Sequence, residues 1–176
     1  MSPPVLETAR LELRPFGAGD VEACVAMDRD PLVYRFVSAD GPPSEEELRA
    51  KLRGQLAEAW PGTGGWWAVR RRGEDEFLGW CALMPLEESG LIEIGYRYTQ
   101  RTWGQGIASE AAAVVLDHGF RVLGFDPIVG VTHPDNKASQ RVLEKIGLRR
   151  EGMAHHYGQE LCFFRLSRAA YGARSA

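Results

Sequence analysis

The segment RTWGQGIASE (residues 101–110) places two glycines, Gly104 and Gly106, between a strand-like run and an Ala/Val-rich helix. Glycine permits a tight turn and lets a ligand approach the backbone without a Cβ in the way. The first turn of a helix has N–H groups without an internal partner, and the helix dipole favours negative charge there. The sequence therefore predicts a strand–turn–helix unit with a site for an anion such as phosphate.

Length and charge limit the classes of protein that this chain can belong to. The 176 residues predict one domain, residues 1–176, and the formal net charge of −3 gives no general attraction to nucleic acid or to an anionic membrane. Three widely spaced cysteines do not suggest a disulfide framework, so we expect a reduced, cytoplasmic setting. We expect neither a signal peptide nor a membrane span, because no apolar run is long enough.

Hydrophobic periodicity predicts a mixed α/β chain with the order β-α-α-β-β-β-α-β-α-β-β. The predicted strands are residues 11–14, 66–71, 77–84, 91–98, 128–132, 149–156 and 161–167. The predicted helices are residues 21–28, 44–60, 105–123 and 136–146.

The glycine pair also occurs in nucleotide-binding loops, but this chain departs from both common patterns. A dinucleotide fingerprint needs a third glycine, and Ser109 occupies that position. A Walker loop needs Gly-Lys-Ser/Thr, which the sequence lacks. A nucleotide-binding domain is therefore the weakest of the functional alternatives.

The pattern R-x-x-G-x-G at Arg101, Gly104 and Gly106 resembles the acyl-CoA signature of the GNAT N-acetyltransferase superfamily. The strand IEIGYRY (92–98), the segment VTHPDNKASQRVLEKIGL (131–148) and the opening ETARLELRPF (7–16) are similar to its Rim-type branch. The resemblance implies a central, mostly antiparallel twisted sheet of about seven strands. Its fourth and fifth strands would splay apart, and about four helices would flank it.

The resemblance also implies a set of residues that hold acetyl-CoA as a co-substrate. The pyrophosphate would lie on the backbone of Gly104, Gln105, Gly106, Ile107 and Ala108, with Arg101 as a cationic partner. The pantetheine arm would pair with Ile94, Gly95 and Tyr96, and would receive a hydrogen bond from Asn136. Asn136 is equally suited to capping the helix that follows it.

Glu93 is the candidate general base for taking a proton from an attacking amine. Strand alternation places Glu93, Gly95 and Arg97 on the face opposite the apolar one, so Glu93 would face a cleft, either acting directly or through water. It could instead be a solvated strand carboxylate, or it could pair with Arg97. Ser139 resembles a residue near the thioester sulfur and is the candidate acid or thiolate partner. Many members of the superfamily use a tyrosine on this helix as the acid, but the predicted helix 136–146 has none, so a dedicated general acid is in doubt.

These residues predict an acetyl-CoA-dependent N-acetyltransferase in which an amine attacks the thioester directly in a ternary complex. A covalent thiol intermediate is not expected, because residues 91–148 contain no cysteine. The acceptor would be a protein N-terminus or a small amine. Tyr34, Trp60, Trp66 and Trp67 are available to line its pocket, but we expect at least two of them to pack in the core instead. No metal site is predicted, and a homodimer is possible. The alternative from another class is a non-catalytic acyl-CoA-binding or sensor module.

Overall fold

The computed structural model describes residues 2–57 and 64–174 of the chain. Its strands are β1 (Leu6–Glu7), β2 (Leu11–Pro15), β3 (Gly65–Arg71), β4 (Gly79–Pro85), β5 (Ile92–Tyr98), β6 (Ile128–Thr132), β7 (Arg149–His156) and β8 (Gln159–Leu166). Its α-helices are α1 (Val21–Asp28), α2 (Pro31–Tyr34), α3 (Glu45–Ala57), α4 (Ile107–Arg121), α5 (Lys137–Ile146) and α6 (Arg168–Arg174).

All eight strands form one sheet in the order β1-β2-β3-β4-β5-β6-β8-β7. Every neighbouring pair is antiparallel except β5 and β6, which are parallel. β5 pairs with β4 along its whole length, but it pairs with β6 only at Ile92 and Glu93. Beyond Glu93 the two parallel strands separate, which leaves the backbone of residues 94–98 open on one edge.

Helices cover both faces of this sheet. Alternate residues of β3 show the two sides, since Trp67 and Val69 belong to the core under α4 whereas Ala68 belongs to the core under α1 and α3. On the first side Ala111, Ala112, Val115 and Leu116 of α4 are all buried. The separated strands β5 and β6 are therefore held in place by a packed core beneath them.

Local sequence signals explain where several helices begin and end. The side chains of Ser44 and Glu47 each accept a hydrogen bond from the other residue's backbone N–H, which is a capping box at the start of α3. Asn136 caps α5 by accepting from the N–H of Ser139 at 3.1 Å. Gly147 ends the same helix with a φ of 110°, a conformation that favours glycine.

The predicted mixed α/β fold with a mostly antiparallel sheet and two splayed strands is confirmed. Each predicted strand is present with its ends shifted by a few residues, and β1, α2 and α6 are additional short elements. The predicted helix 44–60 is seen as Glu45–Ala57, and its last three residues lie outside the described part. Within the described ranges, no helix has the length and apolar character needed to cross a membrane.

Candidate active site

A cleft of about 1400 Å³ opens where β5 and β6 separate. It brings together most of the residues predicted for donor binding and catalysis: Glu93, Ile94, Gly95, Tyr96, Gly104, Gly106, Ile107, Ala108, Asn136 and Ser139. Arg101 and Gln105 are absent from its lining. The cleft also receives residues from α1, α2, β4 and the β7–β8 hairpin, so it is bounded by parts of the chain far apart in sequence.

The glycine loop forms one end of the cleft. Gly104 and Gly106 have φ values of 75° and 76°, in the left-handed region, and Gly106 is the N-cap of α4. The first helical hydrogen bond runs from the N–H of Glu110 to the carbonyl of Gly106 at 3.0 Å, and no side chain caps this end. A Cβ added to Gly104 would meet no atom of the described residues within 4 Å. The loop thus presents backbone N–H groups and free space, as an anion site requires.

The side chains of Arg101 and Gln105 are engaged outside the cleft. Arg101 pairs with Glu76 at 2.9 Å and donates to the carbonyl of Phe77 at 3.1 Å. The side-chain oxygen of Gln105 accepts from Arg71 at 2.6 Å, and its amide nitrogen donates to the carbonyl of Arg101 at 2.8 Å. The structure therefore does not bring the Arg101 guanidinium to the glycine loop's open side.

Glu93 lies at the point where β5 and β6 part, with only 4% of its surface exposed. Burial raises the pKa of its carboxyl to about 7, and the nearby Glu87 carboxylate acts in the same direction. Arg97 does not neutralise it, because Arg97 pairs with Asp28 at 2.7 Å instead. Neither alternative, a solvated Glu93 or a Glu93 paired with Arg97, is therefore what the structure contains.

Tyr157 is a site residue that the sequence analysis missed. Its hydroxyl donates a hydrogen bond to Glu93 Oε1, across 64 residues of sequence. Tyr157 and Gly158 form a two-residue turn between the paired residues His156 and Gln159, and Tyr157 has a φ of 52°. Such hairpin turns favour Asn-Gly, so a tyrosine at the first position is the signal that marks this residue as unusual.

Glu87 holds this hairpin tip against the site. Its carboxylate accepts from the backbone N–H of Tyr157 at 3.0 Å and contacts Nδ1 of His156 at 2.8 Å. Glu87 precedes β5, so it links the β4–β5 turn to the β7–β8 turn. The position of Tyr157 over Glu93 therefore depends on two hairpins that meet at the cleft.

Ser139 and Tyr96 meet on the other side of the cleft. The Tyr96 hydroxyl lies 3.1 Å from the Ser139 carbonyl oxygen and 3.2 Å from Ser139 Oγ. Burial raises the pKa of Tyr96, so its hydroxyl keeps its proton at neutral pH. A tyrosine hydroxyl thus does reach α5. It belongs to Tyr96 on β5, so the sequence of the helix gives no sign of it.

Aromatic and charged side chains line the end of the cleft nearest α1 and α2. The Arg97 guanidinium lies 5.3 Å from the ring centroid of Tyr34 and 5.4 Å from that of Trp80. Trp66 also lines the cleft, stacked on Phe16 at 3.7 Å. Trp67 is fully buried in the core and Trp60 lies outside the described residues, so two of the four predicted aromatics line the cleft.

The three cysteines do not take part in this site. Cys24, Cys81 and Cys162 are unpaired and buried, and none of them lines the cleft. Burial raises the pKa of the Cys24 and Cys81 thiols, which makes their nucleophilic thiolates less accessible. In residues 2–57 and 64–174, no group of three or more His, Cys, Asp or Glu side chains is arranged to hold a metal ion.

The GNAT acetyltransferase domain model matches residues 10–149, so the chain belongs to this family. The chain is 33% identical to the uncharacterized N-acetyltransferase YoaA of Bacillus subtilis, over 88% of each chain. It is 35% identical to FsC-acetyl coenzyme A-N(2)-transacetylase of Aspergillus fumigatus, over 82% of this chain and 65% of that protein. The crystal structure of an acetyltransferase from Agrobacterium tumefaciens superposes with a TM-score of 0.80 at 26% identity, covering 94% of this chain and 95% of that one. The protein is therefore an acyltransferase.

Proposed function

We propose that this protein transfers the acetyl group of acetyl-CoA to a primary amine, in a ternary complex and without an acyl-enzyme. One observation carries the proposal. The open edge of β5 connects a glycine loop suited to phosphate with a buried carboxyl suited to deprotonating an amine. A phosphorylated thioester and an amine would thus meet beside Glu93 within one cleft.

The donor would lie along β5. Its pyrophosphate would accept hydrogen bonds from the backbone N–H groups at residues 104–108, and its pantetheine amides would pair with the open edge at Ile94, Gly95 and Tyr96. Asn136 uses its side-chain oxygen to cap α5, which leaves its side-chain NH₂ to donate to the same arm. The thioester would then lie near Glu93 and Ser139, because both residues line the same cleft.

Glu93 would act as the general base. The amine nitrogen bonds to the thioester carbon, and its proton passes to the Glu93 carboxylate, directly or through one water. A base functions best with a pKa near the working pH, and burial brings the pKa of Glu93 to about 7. Tyr157 would hold the carboxylate in place through its hydrogen bond, which makes it a positioning residue for this step.

Ser139 would assist the leaving group. When the C–S bond breaks, the CoA sulfur departs as a thiolate that accepts a hydrogen bond from the Ser139 hydroxyl and then takes up a proton from solvent. The Tyr96 hydroxyl can donate to the Ser139 carbonyl, so the Ser139 hydroxyl proton is available to the sulfur. A thiol is acidic enough, near ~8.5 for cysteine, that a hydrogen bond can suffice in place of a strong acid.

The acceptor would be a peptide N-terminus or a small amine. The opening segment 7–16 and the segment 131–148 favour the Rim-type branch of the family, which includes ribosomal-protein N-terminal acetyltransferases. An α-amine with a pKa near ~8 is easier to use at neutral pH than a lysine-like amine near ~10. We also propose, from the sequence, a single cytoplasmic catalytic domain that forms a homodimer.

An acceptor screen tests this proposal. Purified protein is mixed with acetyl-CoA and a panel of amines, including peptides that begin with Ala, Ser and Met, and release of the CoA thiol is followed. We expect thiol release with at least one amine class, together with a higher melting temperature in the presence of CoA. Stabilisation by NAD or ATP but not by CoA, with no thiol release for any amine, would contradict it.

A further inference from the structure

Arg10 connects the N-terminal part of the chain to the glycine loop. Both terminal nitrogens of its guanidinium donate to the carbonyl oxygen of Gln105, each at 3.1 Å. Its Nε donates to Glu110 in the first turn of α4 at 2.7 Å, and its backbone N–H donates to the same carboxylate at 3.1 Å. One residue just before β2 thus holds both the loop and the helix that the loop opens.

The contact between Arg10 and the Gln105 carbonyl fixes the direction in which the N–H of Gly106 points, because both groups belong to one peptide bond. In a trans peptide the C=O and the following N–H point in opposite directions. Asp126–Pro127 is the one cis bond among the described residues, so this peptide is trans. Because the Gln105 carbonyl points to Arg10, the N–H of Gly106 points away from Arg10.

The residues that line the two cavities beside the loop are consistent with a Gly106 N–H that points away from Arg10. Arg10 and Gln105 line a smaller cavity of about 650 Å³ and do not line the main cleft. Gly106 lines both cavities. An N–H of Gly106 that points away from Arg10 is therefore available on the side where the phosphates of the donor would lie.

The loop needs such a restraint because it is rich in glycine. Gly104 and Gly106 both adopt φ values near 75°, and glycine readily leaves this region for others. Gln105 lies between them, and Arg71 and the Arg101 carbonyl hold its side chain as well. A peptide fixed on its outer side costs less conformational entropy when a ligand binds its inner side.

We propose that Arg10 is a positioning residue that keeps the loop of residues 104–108 in its phosphate-binding form before the donor arrives. This inference rests on the proposed function, since it assumes that the loop binds the phosphates of acetyl-CoA. Arg10 acts through the Gln105 carbonyl and does not contact the ligand. It also forms an ion pair at 2.6 Å with Glu110, a carboxylate in the first turn of α4.

Two donors separate this role from a general effect on folding. Acetyl-CoA carries the pyrophosphate, and S-acetylpantetheine carries the same thioester without it. We expect Arg10→Met to raise the KM for acetyl-CoA about tenfold, as loss of a charge-assisted contact would, with kcat and the KM for S-acetylpantetheine changed by less than about twofold. The amide protons of residues 106–108 should also exchange faster in the ligand-free variant.

Arg14→Gln is the matched control. Arg14 lies on β2, its side chain is 43% exposed against 47% for Arg10, and it also forms ion pairs, with Glu12 and Asp75. It does not contact the glycine loop, so both donors should keep their wild-type KM. An equal rise in the KM of both donors for Arg10→Met, or no rise in either, would overturn the inference.

Two further variants separate the carbonyl contact from charge alone. Arg10→Lys keeps the positive charge but lacks the fork that reaches Gln105 and Glu110 together, so its KM for acetyl-CoA should rise as well. The double variant Arg10→Met/Glu110→Gln removes the uncompensated carboxylate and should remain impaired. A wild-type KM in either variant would show that charge is sufficient and would overturn the positioning role.

The same measurements distinguish failure of this inference from failure of the proposed function. If wild-type protein prefers acetyl-CoA to S-acetylpantetheine but Arg10→Met impairs both donors equally, the donor site stands and the Arg10 role is wrong. If wild-type protein uses the two donors equally well, the pyrophosphate site itself is wrong, and the inference is overturned with it.

Discussion

The two ends of the cleft are built from different parts of the polypeptide. The end assigned to the donor consists mainly of backbone, the open edge of β5 and the start of α4, and most of it comes from residues 92–108. The end assigned to the acceptor consists of side chains contributed by α1, α2, β4, β5 and the β7–β8 hairpin, including Asp28, Tyr34, Trp80, Arg97 and Tyr157.

This difference indicates that donor binding depends little on side-chain identity, whereas acceptor binding depends on it strongly. Backbone groups bind a donor without depending on side-chain identity, but they need glycine where the chain turns sharply. Side chains on separate elements can be replaced one at a time, so the acceptor end can be altered while the donor end is kept. Glu93 lies where the two ends meet, so substitution there should have the largest effect on the reaction, followed by the donor end and then the acceptor end.

The largest effect is expected from Glu93→Gln. Glutamine retains the shape but cannot accept the amine proton, so kcat should fall about 10²- to 10⁴-fold while the KM for acetyl-CoA stays near the wild-type value. Glu151→Gln is the control, because Glu151 is an exposed strand carboxylate that pairs with Arg165 at 3.0 Å. A kcat for Glu93→Gln within a few-fold of wild type would remove Glu93 from the mechanism.

A smaller effect is expected at the donor end from Gly104→Ala. A side chain at a φ of 75° costs roughly 1–2 kcal/mol, and its Cβ would occupy space that the donor needs. We expect the Kd for CoA, measured by calorimetry, to rise about tenfold. Gly73→Ala is matched to it, with a φ of 76° and no atom within 4 Å of an added Cβ.

Comparing the Gly104 and Gly73 variants separates the effect on CoA binding from the effect of backbone strain. Both variants should lose similar free energy of unfolding, because the backbone strain is the same. Only Gly104→Ala should lose affinity for CoA, since Gly73 does not line the cleft. Equal CoA affinity in the two variants would mean that the donor does not lie on the glycine loop.

The smallest effect is expected at the acceptor end from Phe36→Ala. Phe36 lines the cleft and stacks on His133 with ring centroids 5.3 Å apart. Loss of an aromatic contact worth about 0.5–1.5 kcal/mol should raise the KM for the acceptor roughly two- to tenfold, with no change for acetyl-CoA. A rise in the KM for acetyl-CoA alone would reverse our assignment of the two ends.

The same division explains how much of the site the sequence could predict. Strand alternation and short-range spacing predicted that Glu93 and the glycine loop would lie close together, and both line the cleft. Tyr157 was missed because it reaches Glu93 from a hairpin 64 residues further along the chain. The direction of the Arg101 side chain depends on Glu76 and Phe77, which lie in the connection between β3 and β4. Contacts of this kind depend on strand order, which no local pattern encodes.

The fold was more predictable than the site for a related reason. Seven strands and four helices have clear hydrophobic periodicity, and each was found close to its predicted position. The short elements β1 and α2 have only two and four residues, too few to show a period. They form because neighbouring parts of the chain hold them, β1 by pairing with β2 and α2 by the Asp30 cap.

The central claim is that burial makes Glu93 a base that works near neutral pH. The direct test is the pH dependence of kcat/KM for wild type and Glu93→Gln with the same acceptor, so that titration of the acceptor amine is common to both. Protonated Glu93 cannot accept a proton, so the wild-type rate should fall as the pH drops below about 7, the pKa of Glu93. The Glu93→Gln variant should not show this fall in rate at low pH. Identical pH profiles for the two proteins would contradict the account.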